Sequence, residues 1–177
     1  MELLDKWHDF FIVLGAAAGT LIGAMFVVVS IASGLVRGSE LTSRIFVTPT
    51  IIHLAVALMG CALTLVPTLT RPTLGAITGV AGIAFLGYSA RNVFHIGQRR
   101  ALEWSDHFWY GITPLIGYLV MVVGAVLVLK AMPGAIETLA LALALLVAGG
   151  IRNAWDLILF FLERQGSGRS DGAGPVA

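Results

Sequence analysis

The sequence predicts an all-α integral membrane protein with five transmembrane helices. Three observations lead there. Of 177 residues, 58% are hydrophobic and 12% are charged, against about 45–50% and about 25% in soluble domains. The apolar residues gather into five long runs. Each run can cross a hydrocarbon core of about 30 Å, which takes about 20 residues of helix. No run alternates apolar and polar residues as a barrel strand does. A backbone facing lipid must satisfy its own hydrogen bonds, so each run is read as a helix.

The first run extends from Phe10 to Val36. It exceeds the apolar core of a signal peptide and lacks a basic leader, so it is read as a retained span. Gly15, Gly19 and Gly23 lie four apart and form a small-residue ridge along it. The ridge suits close helix packing inside the bundle or a homo-oligomer contact. The second run, Thr50 to Leu69, opens after Thr48-Pro49, and Pro67, Arg71 and Pro72 mark a tight turn beyond it. The third runs from Leu74 to Gly97. The fourth, Trp109 to Ala131, contains Thr113-Pro114, and an interfacial belt with Trp104 and Tyr110 precedes and overlaps its start. Lys130, Pro133 and Gly134 turn the chain into the fifth, Ile136 to Leu162. Residues 1–164 are thus one domain, and the Gly- and Ser-rich residues 165–177 read as a disordered tail.

Arginine and lysine set the expected orientation. Arg37, Arg44, Arg99, Arg100, Arg164 and Arg169 fall at one end of the spans, against Lys6, Arg71 and Lys130 at the other. The first end is read as cytoplasmic, with the N-terminus outside and the C-terminus inside. The location this implies is a multi-pass protein of a bacterial-type inner membrane.

Spans two and three look like spans four and five. Thr48-Pro49 recurs as Thr113-Pro114, His53 is answered by Tyr118, Pro67 by Pro133, and Arg91-Asn92 by Arg152-Asn153. The offset is 65 residues at the front, Pro49 to Pro114, and 61 at the back, Arg91 to Arg152. The unit is read as a helical hairpin, tandemly duplicated in the same orientation, with a pseudo-twofold axis along the membrane normal. Span one stands outside it.

That register brings the rare polar residues of the spans to one half of the bundle. His53, Tyr118, Arg91, Asn92, His95, Arg152, Asn153 and Asp156 are all expected in the cytoplasmic half. A charged side chain at the centre of a span costs about 2.5–3.5 kcal/mol on insertion scales, so such groups pair inside the bundle or serve a task. Arg152 and Asp156 are four apart on one helical face and can neutralise each other. The alternative is a crossing from Arg91 to Asp156.

Three functional readings follow. The first is a small transporter or channel, with the arginines setting a positive potential and His53 and His95 exchanging protons. The second is a redox protein holding b-type haem or a metal between His53 and His95. The third is a structural or accessory subunit in which the polar groups only lock helices together. A formal charge of +1 offers nothing to nucleic acid. The lone cysteine, Cys61, makes no disulfide within the chain and no CxxC motif. No zincin, phosphate-loop or nucleophile-elbow motif is present, so no catalytic residue is assigned and an enzyme is not the expected class.

Overall fold

The computed structural model describes the backbone of residues 2–35, 47–97 and 108–170, and the side chains of 6–31, 47–94, 109 and 111–159. Within these residues the chain is all-helical. Helix α1 is Glu2–Leu35, α2 Thr48–Thr64, α3 Arg71–Gly97, α4 Thr113–Leu129 and α5 Ala135–Ser170. The two long connections, with Arg37, Arg44, Arg99, Arg100 and Trp104, lie outside the described residues.

Three helices are long and apolar enough to cross a membrane: α1 over Lys6–Ile31, α3 over Arg71–Phe94 and α5 over Ala135–Leu159. Helices α2 and α4 have 17 residues each, about 26 Å at 1.5 Å per residue, less than the spans read from sequence. Both end early because the following turns stop them. A π-helical turn, Phe108–Ile112, leads into α4, and Val47, just before α2, is also π-helical. Each π turn is followed by Thr-Pro, with the proline in the first helical turn. Proline has no N–H to donate and crowds the carbonyl four residues back, so a helix that continues through it is locally rewound. With its π turn, α4 reaches about 33 Å.

The short turns are built from local chemistry. Thr70 opens α3: its Oγ1 accepts from the amide of Thr73 and sits 2.8 Å from the Thr73 hydroxyl. Pro72 follows in the first turn, so α3 starts three residues before the apolar run does. Helix α4 ends with the Met132 amide on the Leu127 carbonyl and the Ala131 amide on that of Val128. This pairing is a Schellman motif, and it forces Ala131 to φ 51°. Helix α5 runs past the Leu162 boundary to Ser170, through the first residues of the segment read as a tail. Extending an existing helix fixes one residue per bond, so polar and glycine residues can follow without a new nucleus.

The helices run alternately up and down. Trp7, Leu65 and Ile136 meet around Phe11 and Cys61 at one end, and Met25, Val47 and Leu157 meet at the other. Helices α3, α4, α5 and α2 form a four-sided arrangement, with α1 packed over α2 and α5. Glycines set the close approaches. A Cβ at Gly60 of α2 would lie 2.6 Å from Leu143 of α5, and one at Gly124 of α4 2.8 Å from Leu139 of α5. One at Gly82 of α3 would lie 2.9 Å from Val122 of α4. On the α1 ridge, Gly15 meets Cys61 and Gly19 approaches Leu58 of α2, while Gly23 has open space.

One side of the arrangement differs from the hairpin read from sequence. Helices α4 and α5 pack along their length, but α2 and α3 barely touch. The connection of residues 65–70 joins two helices that make little contact with each other.

Two predictions follow from the packing. Gly124→Val meets the Leu139 backbone nitrogen 3.1 Å from its Cβ, so it should lower stability by about 1–3 kcal/mol. Gly23→Ala should not lower it, and unfolding titrations in detergent would read both. Ala131→Gly relieves the left-handed φ and should raise stability by roughly 1 kcal/mol. A loss of stability there would contradict the Schellman reading.

Candidate functional site

The candidate site grows from one buried contact. His53 of α2 is 2% exposed and Tyr118 of α4 is fully buried. His53 Nδ1 lies 2.7 Å from Tyr118 Oη. Either the phenol donates to the bare nitrogen, or Nδ1–H donates to the phenol oxygen. A polar group in hydrocarbon without a partner costs several kcal/mol, and here each supplies the other's. The pair therefore holds α2 and α4 across the diagonal of the arrangement.

Aromatic rings close around it. Phe85 of α3 stacks on Tyr118 with centroids 5.7 Å apart. Tyr88, one turn on, presents its edge to His53 at 6.5 Å. These two residues were not singled out from sequence, where they read as ordinary apolar filling. The available signal was their spacing: Phe85, Ser89 and Asn92 share a face of α3 at heptad-like intervals. On that face Ser89 is buried and Asn92 half-buried. Asn92 Nδ2 is shut away from solvent with no hydrogen-bond partner among the described residues. A buried unsatisfied donor is uncommon in folded proteins and calls for an explanation such as a bound water or ion.

The second polar group lies within α5. Arg152 Nη1 and Asp156 Oδ1 form an ion pair one helical turn apart. Asp156 thus takes the local partner and not Arg91. The pair is only part-buried, with side chains 37% and 22% exposed. Asn153, beside it, is buried. Arg91 is exposed on the surface of α3. The side chain of His95 lies outside the described residues, and with it the proposed haem or metal pairing with His53. Among the described residues no three His, Cys, Asp or Glu side chains gather as a metal site would need.

The sequence-read residues therefore fall into three environments. His53 and Tyr118 meet in the core, Arg152 and Asp156 pair along the flank of α5, and Arg91 faces outward. All lie toward the same end of the bundle, because α3 and α5 both run from the short turns toward it. Chemically, the core pair satisfies its own polar groups through one hydrogen bond, and the flank pair is already neutralised. No protein-family model, curated protein or solved structure matches the chain.

Tyr118→Phe keeps the stack on Phe85 and removes only the hydrogen bond. Buried polar contacts between membrane helices average about 0.6 kcal/mol and reach about 1.7. The variant should lose stability in that range, and should lose none in a His53→Ala background. Reversible unfolding in mixed detergent micelles, run as a double-mutant cycle, measures both. Equal losses in the two backgrounds would mean the contact contributes nothing.

Proposed function

We propose that the chain is a five-span protein of a cell membrane, with the N-terminus outside and the C-terminus in the cytoplasm, and that it acts as a small transporter or channel. Its working part is the polar cluster at the cytoplasmic end. The observation that carries this reading is the His53–Tyr118 pair, a hydrogen bond buried between two apolar helices. Ionisable and strongly polar groups held in such a place mark ion or proton pathways by default. The half-buried Asn92 adds a polar group on α3 toward that end. Arg91 lies toward the same end, where its guanidinium raises the local potential for anions, and the neutralised Arg152–Asp156 pair lies there too.

Two features support the duplicated hairpin within this reading. A π-helical residue, Val47 or Ile112, stands directly before the Thr-Pro that opens each of α2 and α4. His53 and Tyr118 occupy equivalent positions, 65 apart, and touch each other. In an assembly with a twofold axis, equivalent positions touch only at the axis. The pair would then sit where a central pathway between repeats belongs. A structural role is the competing reading, and it is favoured by the closed Arg152–Asp156 pair. An ion pair already satisfied within one helix has no demand left for a ligand.

Proteoliposomes separate the two. Vesicles loaded with a pH-sensitive dye and driven by a potassium diffusion potential should pass protons faster with the protein than without it. The flux should fall in Tyr118→Phe and in His53→Ala, and should respond to Arg91→Gln and Arg152→Gln. Flux equal to that of empty vesicles, with correctly folded protein, would leave the structural reading. An absorption spectrum of the purified protein tests the haem reading, which requires a Soret band.

A further inference from the structure

A cavity lies at the end of the bundle formed by the short turns. It holds about 300 Å³ and is lined by the start of α3, the end of α4, the turn that follows and the start of α5. That volume falls at the lower end of the range for small-molecule sites, about 300–1,000 Å³. Leu74, Val128, Met132 and Ile136 give it apolar walls. Two charged residues of opposite sign also line it: Arg71 at the start of α3 and Glu137 in the first turn of α5.

Among the described residues the one ion pair is Arg152–Asp156, so Arg71 and Glu137 share a cavity without closing on each other. Glu137 suits its place without any ligand, since a carboxylate in a first turn complements the helix dipole. Arg71 does not. The same dipole opposes a cation at a helix N-terminus, and α3 has no acidic residue in its first turn to offset it. The reason for an arginine there lies outside its own helix. Depth supplies a candidate. The apolar spans of α3 and α5 begin at Arg71 and Ala135. The cavity therefore lies between two span starts, level with the layer of phospholipid headgroups beside the hydrocarbon core.

We infer that this cavity binds the headgroup of a zwitterionic phospholipid with a primary ammonium, the phosphate on Arg71 and the ammonium on Glu137. The inference rests on the membrane reading above, though not on transport. A ligand with one net charge gains at one of the two residues and loses at the other. A zwitterion gains at both. The guanidinium of Arg71 offers a fork of donors that matches two phosphate oxygens. A primary ammonium has three N–H donors for the Glu137 carboxylate, whereas a trimethylated choline has none. The apolar walls fit the glycerol and the first methylenes that a phospholipid brings behind its phosphate. A free zwitterion would leave those walls facing water.

The test is native mass spectrometry of the full chain, released from micelles holding equal amounts of phosphatidylethanolamine, phosphatidylcholine and phosphatidylglycerol. The unaltered chain should retain phosphatidylethanolamine roughly fivefold over either of the others, the size that one exposed charge pair supplies. Glu137→Gln should abolish that preference, and Arg71→Gln should lower retention of every phospholipid. Both side chains are exposed, so both variants should fold, which circular dichroism checks. Lys130→Gln removes an exposed charge at the same end but outside the cavity lining, and should change nothing. Free glycerophosphoethanolamine at the concentration of the lipid should not displace it. Equal retention of the lipids, or a preference that survives Glu137→Gln, overturns the inference. A preference for phosphatidylglycerol overturns it in favour of a simple anion site at Arg71. Displacement by the free headgroup overturns it in favour of a soluble ligand. Carbonate-resistant association with vesicles tests the membrane reading separately: its loss removes that reading and the inference with it, and its persistence beside equal retention removes the inference alone.

Discussion

Close approach of helices in this molecule is decided by where a side chain is missing. Inside hydrocarbon an apolar side chain gains nothing by leaving lipid for protein, so helices associate through dispersion contacts and a few hydrogen bonds. Dispersion falls off steeply with separation, and only a glycine or alanine lets two backbones come near enough to collect it. Gly60 against Leu143, Gly82 against Val122 and Gly124 against Leu139 fix three sides of the arrangement in this way. Between α2 and α3 no glycine makes such a close approach among the described residues, and Ile52 and Met59 line the gap. The first helix closes over α2 through Gly15 and Gly19 by the same rule.

The polar contacts do a different task. The His53–Tyr118 hydrogen bond joins α2 to α4 across the diagonal, where the glycine contacts do not reach. Its energy is small beside the packing, but its geometry is specific: a single rotation of either helix would leave a polar group stranded in the core. The aromatic rings of Phe85 and Tyr88 bring α3 to the same point. Three helices therefore share one register mark near one end. The Arg152–Asp156 pair plays no part in joining helices, because it is completed within α5.

Much of this was legible in the sequence. The helical class, the turns at Pro67 and Pro133, and the match of His53 with Tyr118 could all be read from apolar runs and scarce polar residues. Helix ends were less legible. The Thr70 cap moved the start of α3 forward, and the turns that follow α2 and α4 left each with 17 residues. Apolar character continues through a turn, so hydropathy does not show where helical geometry stops. The direction of Arg91 was not legible either. Its depth along α3 follows from its position in sequence, but its outward face follows from which side of α3 packs on α4, and that is set by Gly75, Gly79 and Gly82. The sparse packing of α2 on α3 was not legible, because two apolar runs joined by a short turn read as a packed hairpin.

The distance between helices tests the glycine rule most directly. Spin labels on a Cys61→Ala background at Ala62 and Ile77 report on α2 and α3, and labels at Val123 and Leu141 report on α4 and α5; all four positions are exposed. Pulsed dipolar spectroscopy in vesicles should give a longer mean distance for the first pair than for the second, and replacing Ile52 and Met59 with glycine should shorten the first. Equal distances in the unaltered chain, or no response to the glycines, would contradict the account.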